Sequence, residues 1–138
     1  MSIRRVSPQD AKVLVESDGY VYVDVRSIPE FEAGHPKGAY NVPVAHAGDR
    51  GMAPNADFVS VMEKGFGKDA KLVLGCASGG RSFHAAQVLQ SSGFATLVDQ
   101  RAGFEGAGPE PGWRHAGLPT ATTAEPGRDY ASLVAREE

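Results

Sequence analysis

The chain has 138 residues, of which 41% are hydrophobic and 22% charged, proportions that suit one globular domain with a buried core. A net charge of −3 without a basic cluster argues against nucleic acid or an anionic membrane surface as a partner. No apolar stretch has the length of a membrane span and the first residues lack an apolar signal core, so we expect no membrane association and a cytoplasmic location.

The first half of the chain alternates strand and helix patterns. Ile3 to Val6 is a plausible edge strand, and Ser7 followed by Pro8 is typical of a helix start. Residues 20–25 form an unbroken β-prone run, which predicts a parallel strand buried on both faces. The predicted elements that follow are a helical turn over 29–32, a strand over 40–42, a loop over 45–54 and a helix over 55–66.

The second half continues this alternation and then loses it. We expect a strand over 72–74, a helix that ends at Gly93 and a last strand over 95–98. Residues 103–112 contain four glycines and two prolines, which indicates a loop. Beyond residue 119 the chain is polar, with one weak helical turn near 130–136. Strands that alternate with helices predict an α/β sheet with helices on both faces.

The only cysteine, Cys76, lies where a reactive thiol is expected. It follows the 72–74 strand and begins the loop CASGGR, after which the next helix starts. Ligands of parallel sheets bind at the carboxyl ends of strands, and helix N-termini attract anions there. This position favours the thiolate, the nucleophilic form of cysteine, and Arg81 adds donors that suit oxyanions. The pattern predicts a cysteine nucleophile in an anion-binding loop.

Four motifs, in this order, resemble those of the rhodanese-like domains, which are also called thiosulfate sulfurtransferase-like domains. They occupy residues 23–26 with 30–31, residues 34–43, residues 76–82, and residues 103–104 with Trp113 and 116–119. The chain departs from the family pattern at Ala102, where a glycine is usual, and in the longer loop before Trp113. We therefore expect a rhodanese-like domain over residues 1–119 and a C-terminal extension without an assigned role over residues 120–138.

The resemblance implies a rhodanese-like α/β fold, with a central, mostly parallel sheet of about five strands, and a transfer of sulfur in two covalent steps. Cys76 would take sulfur from a donor such as thiosulfate, and its persulfide would pass the sulfur to cyanide or a thiol. The partners would be a small-molecule donor and acceptor, or a protein thiol. The site residues would be Cys76 and Arg81 as catalytic residues, Ala77, Ser78, Gly79, Gly80 and Ser82 as the substrate and persulfide loop, and Asp24 and Arg26 as pocket candidates.

Alternatives remain at this point. Arg81 could form a salt bridge that merely shapes the loop, and Arg26 could pair with Glu30. Non-catalytic binding or sulfur sensing is another function for such a domain, although the presence of Cys76 and Arg81 favours activity. A phosphatase or arsenate reductase is less favoured, because only four residues separate Cys76 from Arg81, where tyrosine phosphatases have five. The single cysteine also argues against a self-contained arsenate cycle.

The other candidate side chains have weaker signals. We expect His35 to be architectural, His84 to be exposed and Trp113 to be a core or lid residue. The histidines and carboxylates lack ligand spacing, so we predict no metal and no organic cofactor.

Overall fold

The computed structural model describes residues 3–136. Its helices are α1 (Pro8–Ser17), α2 (Ile28–Ala33), α3 (Phe58–Gly65), α4 (Gly80–Ser91) and α5 (Tyr130–Val134). Its strands are β1 (Arg4–Val6), β2 (Val21–Asp24), β3 (His35–Pro36), β4 (Tyr40–Asn41), β5 (Ala45–Gly48), β6 (Gly51–Pro54), β7 (Lys71–Gly75), β8 (Thr96–Gln100), β9 (Gly106–Ala107), β10 (Glu110–Pro111) and β11 (Thr120–Ala121).

A five-stranded parallel sheet in the order β1-β8-β7-β2-β4 forms the centre of the molecule. Strand β7 is the middle strand, and Cys76 follows its last residue. The register pairs Asp24 with Gly75 and Asp99 with Leu74, so polar residues of β2 and β8 flank the end of β7. The predicted α/β fold with a parallel sheet is confirmed.

The side chains of the central strands alternate between two apolar cores. Leu72 and Leu74 of β7 face the core that α3, α4 and α5 cover, whereas Val73 faces the core that α1 and α2 cover. All three side chains are fully buried. Because both faces of the sheet are covered, its inner strands appear in the sequence as unbroken apolar runs.

Two helix starts illustrate local capping. Ser7 accepts a hydrogen bond from the Asp10 N–H, and Pro8 is the first residue of α1, as predicted. Helix α3 begins at Phe58, three residues after the predicted start. The reason is that Asn55 forms a turn, in which its side-chain oxygen accepts from the Asp57 N–H at 2.9 Å.

The prediction of a loop over residues 45–54 is wrong, because β5 and β6 pair there as an antiparallel hairpin. Its residues from 47 to 54 are exposed, so the hairpin has no buried face and no apolar alternation to reveal it. Residues 103–112 likewise contain the short β9–β10 pair. Strand β8 is not the last strand, and it extends two residues beyond its predicted end, to Gln100.

Residues 120–136 pack against the domain through several contacts. Strand β11 pairs with β3, and the Arg128 carbonyl accepts a hydrogen bond from the Asn41 N–H on the outer edge of β4. Leu133 of α5 is fully buried in the core beneath α3. The domain boundary at residue 119 stays a prediction. Within residues 3–136, no helix is long and apolar enough to cross a membrane.

Candidate active site

Cys76 lies between the end of β7 and the start of α4. Its side chain is 2% exposed, and its Sγ accepts a hydrogen bond from the Gly79 N–H at 3.1 Å. Within the described chain, the N–H groups of Ala77, Ser78 and Gly80 have no hydrogen-bond acceptor. The loop therefore combines a sulfur that already accepts one N–H with further donors available to an anion.

Gly79 gives the loop its shape. Its φ of +95° lies in the region that side chains disfavour, and a Cβ there would lie 2.2 Å from the Arg101 carbonyl oxygen. Gly80 has open space around the same position. The first glycine of the pair is therefore required by the backbone, and the second is not.

A buried carboxylate supports the loop from behind. Asp99, at the end of β8, accepts hydrogen bonds from the Ser82 hydroxyl and, at 2.7 Å, from the Arg5 guanidinium. Burial raises the pKa of Asp99, and the hydrogen bonds from Ser82 and Arg5 oppose this rise. Arg5 also lies over the Phe83 ring, 4.6 Å from its centroid. These contacts attach the first turn of α4 to β8 and β1.

The segment after Ala102 holds the loop from the other side. The carbonyl oxygens of Cys76 and Ala77 accept from the N–H groups of Phe104 at 2.7 Å and Glu105 at 2.9 Å. Gly103 approaches so closely that a Cβ there would lie 2.3 Å from the Ala77 oxygen. Because the loop carbonyls are engaged here, the loop backbone is oriented by contacts outside itself.

Arg81 forms a two-point salt bridge with Glu30 of α2. Its Nη1 and Nη2 donate to the two carboxylate oxygens at 2.8 and 2.9 Å. Hydrogen bonding from Arg81 lowers the pKa of Glu30 to about 2. Glu30 also accepts from the Ser27 N–H, a hydrogen bond of the α2 capping box, and from the Ser27 hydroxyl. The guanidinium next to the loop is thus already occupied by a carboxylate.

Asp24 and Arg26 form a second, buried ion pair, with 2.7 Å between Arg26 Nη2 and Asp24 Oδ2. Arg26 also donates to the Gly34 carbonyl and lies over the Phe104 ring. The alternative in which Arg26 pairs with Glu30 is wrong, because Asp24 is nearer in the strand-end turn and Arg81 takes Glu30.

The family model of the rhodanese-like domain matches residues 7–107, well over half of the chain. The chain belongs to the rhodanese-like domain family. It is 38% identical over 117 residues to Thiosulfate sulfurtransferase 16, chloroplastic, of Arabidopsis thaliana, which covers 82% of this chain and 92% of that protein. It is 33% identical over 102 residues to Thiosulfate sulfurtransferase GlpE of Pseudomonas fluorescens, with 74% and 82% covered.

Other relatives and solved structures agree with this assignment. Two further relatives are longer, and the chain spans 47% of each. The crystal structure of Rv0390 from M. tuberculosis is similar, with a TM-score of 0.75 and 26% identity, and the match covers 89% of this chain and all of that one. The resemblance inferred from the four motifs is confirmed at the level of the family.

The histidines and Trp113 of this rhodanese-like domain lie outside the loop. His35 is buried, stacks on Phe31 and hydrogen bonds to the Phe31 carbonyl at 2.7 Å, in agreement with an architectural role. His84 is exposed, as expected. Trp113 is a core residue that contacts Tyr22 edge to face and donates to the Pro119 carbonyl.

The larger cavities do not lie at the Cys76 loop. The cavities of 280 and 490 Å³ are lined by the C-terminal segment together with α2 or Phe104, and Cys76 lines neither. A smaller cavity of 140 Å³ is lined by both Arg26 and Glu30 and so lies beside the Arg81 salt bridge. Among residues 3–136, no group of three or more metal-binding side chains is assembled.

Sequence reasoning missed two side chains that support the loop, Asp99 and Arg5. Asp99 had a usable signal, because it ends an apolar run as Asp24 does. Arg5 had none, since its contact with Asp99 joins residues 94 positions apart. Tyr22 was also missed: its hydroxyl fills the space that a Cβ at Gly75 would need, and burial raises its pKa far above the usual value.

Proposed function

We propose that this protein is a sulfurtransferase and that Cys76 carries the transferred sulfur as a persulfide. The observation that carries the proposal is the hydrogen bond of 3.1 Å that the Gly79 N–H donates to the Cys76 sulfur. This hydrogen bond lies in the loop between the end of a central strand and a helix N-terminus. A hydrogen bond to sulfur and the positive end of the helix both favour an anion on that atom. The thiosulfate sulfurtransferase names of two relatives support the same chemistry.

In the first step, the Cys76 thiolate attacks the outer sulfur of a donor such as thiosulfate. A sulfur–sulfur bond to Cys76 forms, the donor's sulfur–sulfur bond breaks, and sulfite leaves with the electron pair. In the second step, cyanide or a thiolate attacks the outer persulfide sulfur, and the Cys76 thiolate leaves. Neither step needs an external oxidant or reductant.

The loop stabilises the anion in both steps. The N–H groups of Ala77, Ser78 and Gly80 belong to the same loop and have no other acceptor within residues 3–136, so they would donate to the terminal sulfur of the persulfide. Each such contact would contribute about 3 kcal/mol or less. Ser82 contributes through Asp99, which anchors the first turn of α4. Arg81 holds the loop against α2 through Glu30. Asp24 and Arg26 pair with each other at the neighbouring strand end, and Arg26 also lines the 140 Å³ cavity beside the Arg81 salt bridge, so both stay pocket candidates.

A cytoplasmic location stays a prediction from the sequence, and the relatives named as chloroplastic give it no support.

Non-catalytic binding or sulfur sensing is the alternative for this family, and the intact loop with its thiol favours activity over it. The four-residue spacing from Cys76 to Arg81 disfavours phosphate hydrolysis, and the single cysteine disfavours a self-contained arsenate cycle.

Thiocyanate release from cyanide tests the proposal, with thiosulfate or methanethiosulfonate as the donor. We expect turnover by the wild type and none by Cys76→Ser, a change that keeps size and polarity. Hydrolysis of an aryl phosphate is measured in parallel. No thiocyanate with either donor, or phosphate release that depends on Cys76, would contradict the proposal.

A further inference from the structure

Glu30 occupies the face of Arg81 that binds anions. The two hydrogen bonds of 2.8 and 2.9 Å use both terminal nitrogens of the guanidinium, which is the geometry that an oxyanion donor would need. Glu30 is also held from its other side by Ser27, through its N–H at 3.1 Å and its hydroxyl at 2.8 Å. The carboxylate is therefore positioned by both α2 and Arg81, and an incoming anion must compete with it.

The other cations near this position are paired as well. Arg26 binds Asp24, and Arg114 binds Glu105 at 3.2 Å. The 140 Å³ cavity beside the salt bridge is lined by Arg26, Arg114, Glu30 and Glu105, two cations and two carboxylates. A dianion that enters it meets no excess positive charge, and at its wall Glu30 already occupies the guanidinium of Arg81.

We propose that Glu30 is a specificity-determining residue that directs Cys76 away from dianionic donors, such as thiosulfate, and toward monoanionic persulfides, R–S–S⁻. This inference rests on the proposed sulfurtransferase function. The Cys76 thiolate attacks the outer sulfur of the persulfide, the new sulfur–sulfur bond forms as the old one breaks, and the thiolate R–S⁻ leaves. The charge before and after is the same, and no co-reactant is needed.

The test replaces Glu30 by glutamine. Glu30→Gln removes the charge but keeps an oxygen for the Ser27 N–H, since glutamine also serves in a capping box. Glu32→Gln is the matched control, because it removes one carboxylate from the exposed side of the same helix. Unfolding curves of both variants show that they are folded under the assay conditions.

Thiosulfate and methanethiosulfonate form a matched pair of donors. Both present a sulfane sulfur, but the first is a dianion and the second a monoanion. We expect Glu30→Gln to raise kcat/KM for thiosulfate about tenfold and that for methanethiosulfonate less than about threefold. Inhibition by sulfate, a dianion without a transferable sulfur, should strengthen by about the same factor as the thiosulfate reaction. Glu32→Gln should change neither donor by more than about twofold.

The outcomes separate this inference from the proposed function. Equal changes for both donors, or a lower kcat/KM for thiosulfate in Glu30→Gln, would overturn the role of Glu30 and leave sulfur transfer intact. If neither the wild type nor the variant forms a persulfide with any donor, sulfur transfer itself fails, and the inference fails with it.

Discussion

Among single residues, the conformation of Gly79 has the largest consequence for the loop. Its positive φ places the N–H that reaches the Cys76 sulfur, and its Cα packs against the Arg101 carbonyl. The sequence motif could predict that a glycine is needed near Cys76. It could not distinguish Gly79 from Gly80, because the close contact comes from Arg101, which is distant in the sequence.

Gly79→Ala should therefore destabilise the protein by about 3 kcal/mol, since it combines a strained backbone with a clash against a carbonyl. Gly80→Ala is the control and should change the free energy of unfolding by less than about 1 kcal/mol, because its Cβ would meet open space. Urea denaturation measures both values. Similar losses in the two variants would contradict the assignment of the strained position to Gly79.

Glu30 gives stability a specific dependence on pH. Its pKa is about 2 in the folded protein against an ordinary 4.5, because Arg81 stabilises the carboxylate. The folded state thus binds fewer protons, so this contribution is fully present above about pH 4.5 and is lost as the pH falls toward 2. The free energy of unfolding, followed over this range, should fall more steeply in the wild type than in Glu30→Gln. Parallel curves would refute the coupling.

At the scale of elements, the first turn of α4 is held by β8 and β1, the two strands on one side of the central strand β7. Asp99 of β8 has a fully buried side chain, and Arg5 of β1 supplies the opposite charge. Removing the cation leaves a buried carboxylate with only the Ser82 hydroxyl as a side-chain partner. The position of the Cys76 loop therefore depends on the edge strand of the sheet.

Arg5→Met should lower the free energy of unfolding by about 2 kcal/mol and slow persulfide formation, since the loop loses its support. Arg101→Met is a matched control, because both arginine side chains are 43% exposed, but Arg101 pairs with Glu110, which is itself 30% exposed. The control should cost less than about 1 kcal/mol. Equal effects in the two variants would contradict a stabilising role for the Arg5–Asp99 salt bridge.

Elements with a buried face could be predicted from the sequence, and those without one could not. The runs that contain Val23 and Leu74 pack on both sides of the sheet, and both became strands of the predicted kind. The β5–β6 hairpin was missed because backbone hydrogen bonds hold it. Such pairing places little demand on exposed side chains, so it leaves no pattern in the sequence. Salt-bridge partners were missed or mispaired for a different reason, because the charge of Arg81 does not say which carboxylate it will contact in the fold.

For the whole molecule, the segment beyond residue 119 contributes to the core. Leu133 is fully buried against α3, and the Asn55 side chain donates to the Tyr130 hydroxyl at 3.0 Å. The sequence of this segment is polar, so its single buried leucine gave no periodic signal. Its packing depends on contacts with β4 and α3, which are distant from it in the sequence, so the local sequence could not predict it.

Leu133→Ala should therefore cost about 3 kcal/mol, as expected for a large-to-small change in a closed core. Val134→Ala alters the neighbouring residue, which is 43% exposed, and should cost less than about 0.5 kcal/mol. Chemical denaturation of the two variants compares these losses. A small effect of Leu133→Ala would contradict an integral role for the C-terminal segment in the domain.

The mass of the intact protein tests the central claim most directly. Wild type and Cys76→Ser are measured before and after treatment with thiosulfate or methanethiosulfonate, and again after cyanide. We predict a gain of one sulfur atom in the wild type alone, removed by cyanide with release of thiocyanate. A wild type that gains no sulfur from either donor, or a Cys76→Ser variant that gains it equally, would contradict the assignment of Cys76 as the sulfur carrier.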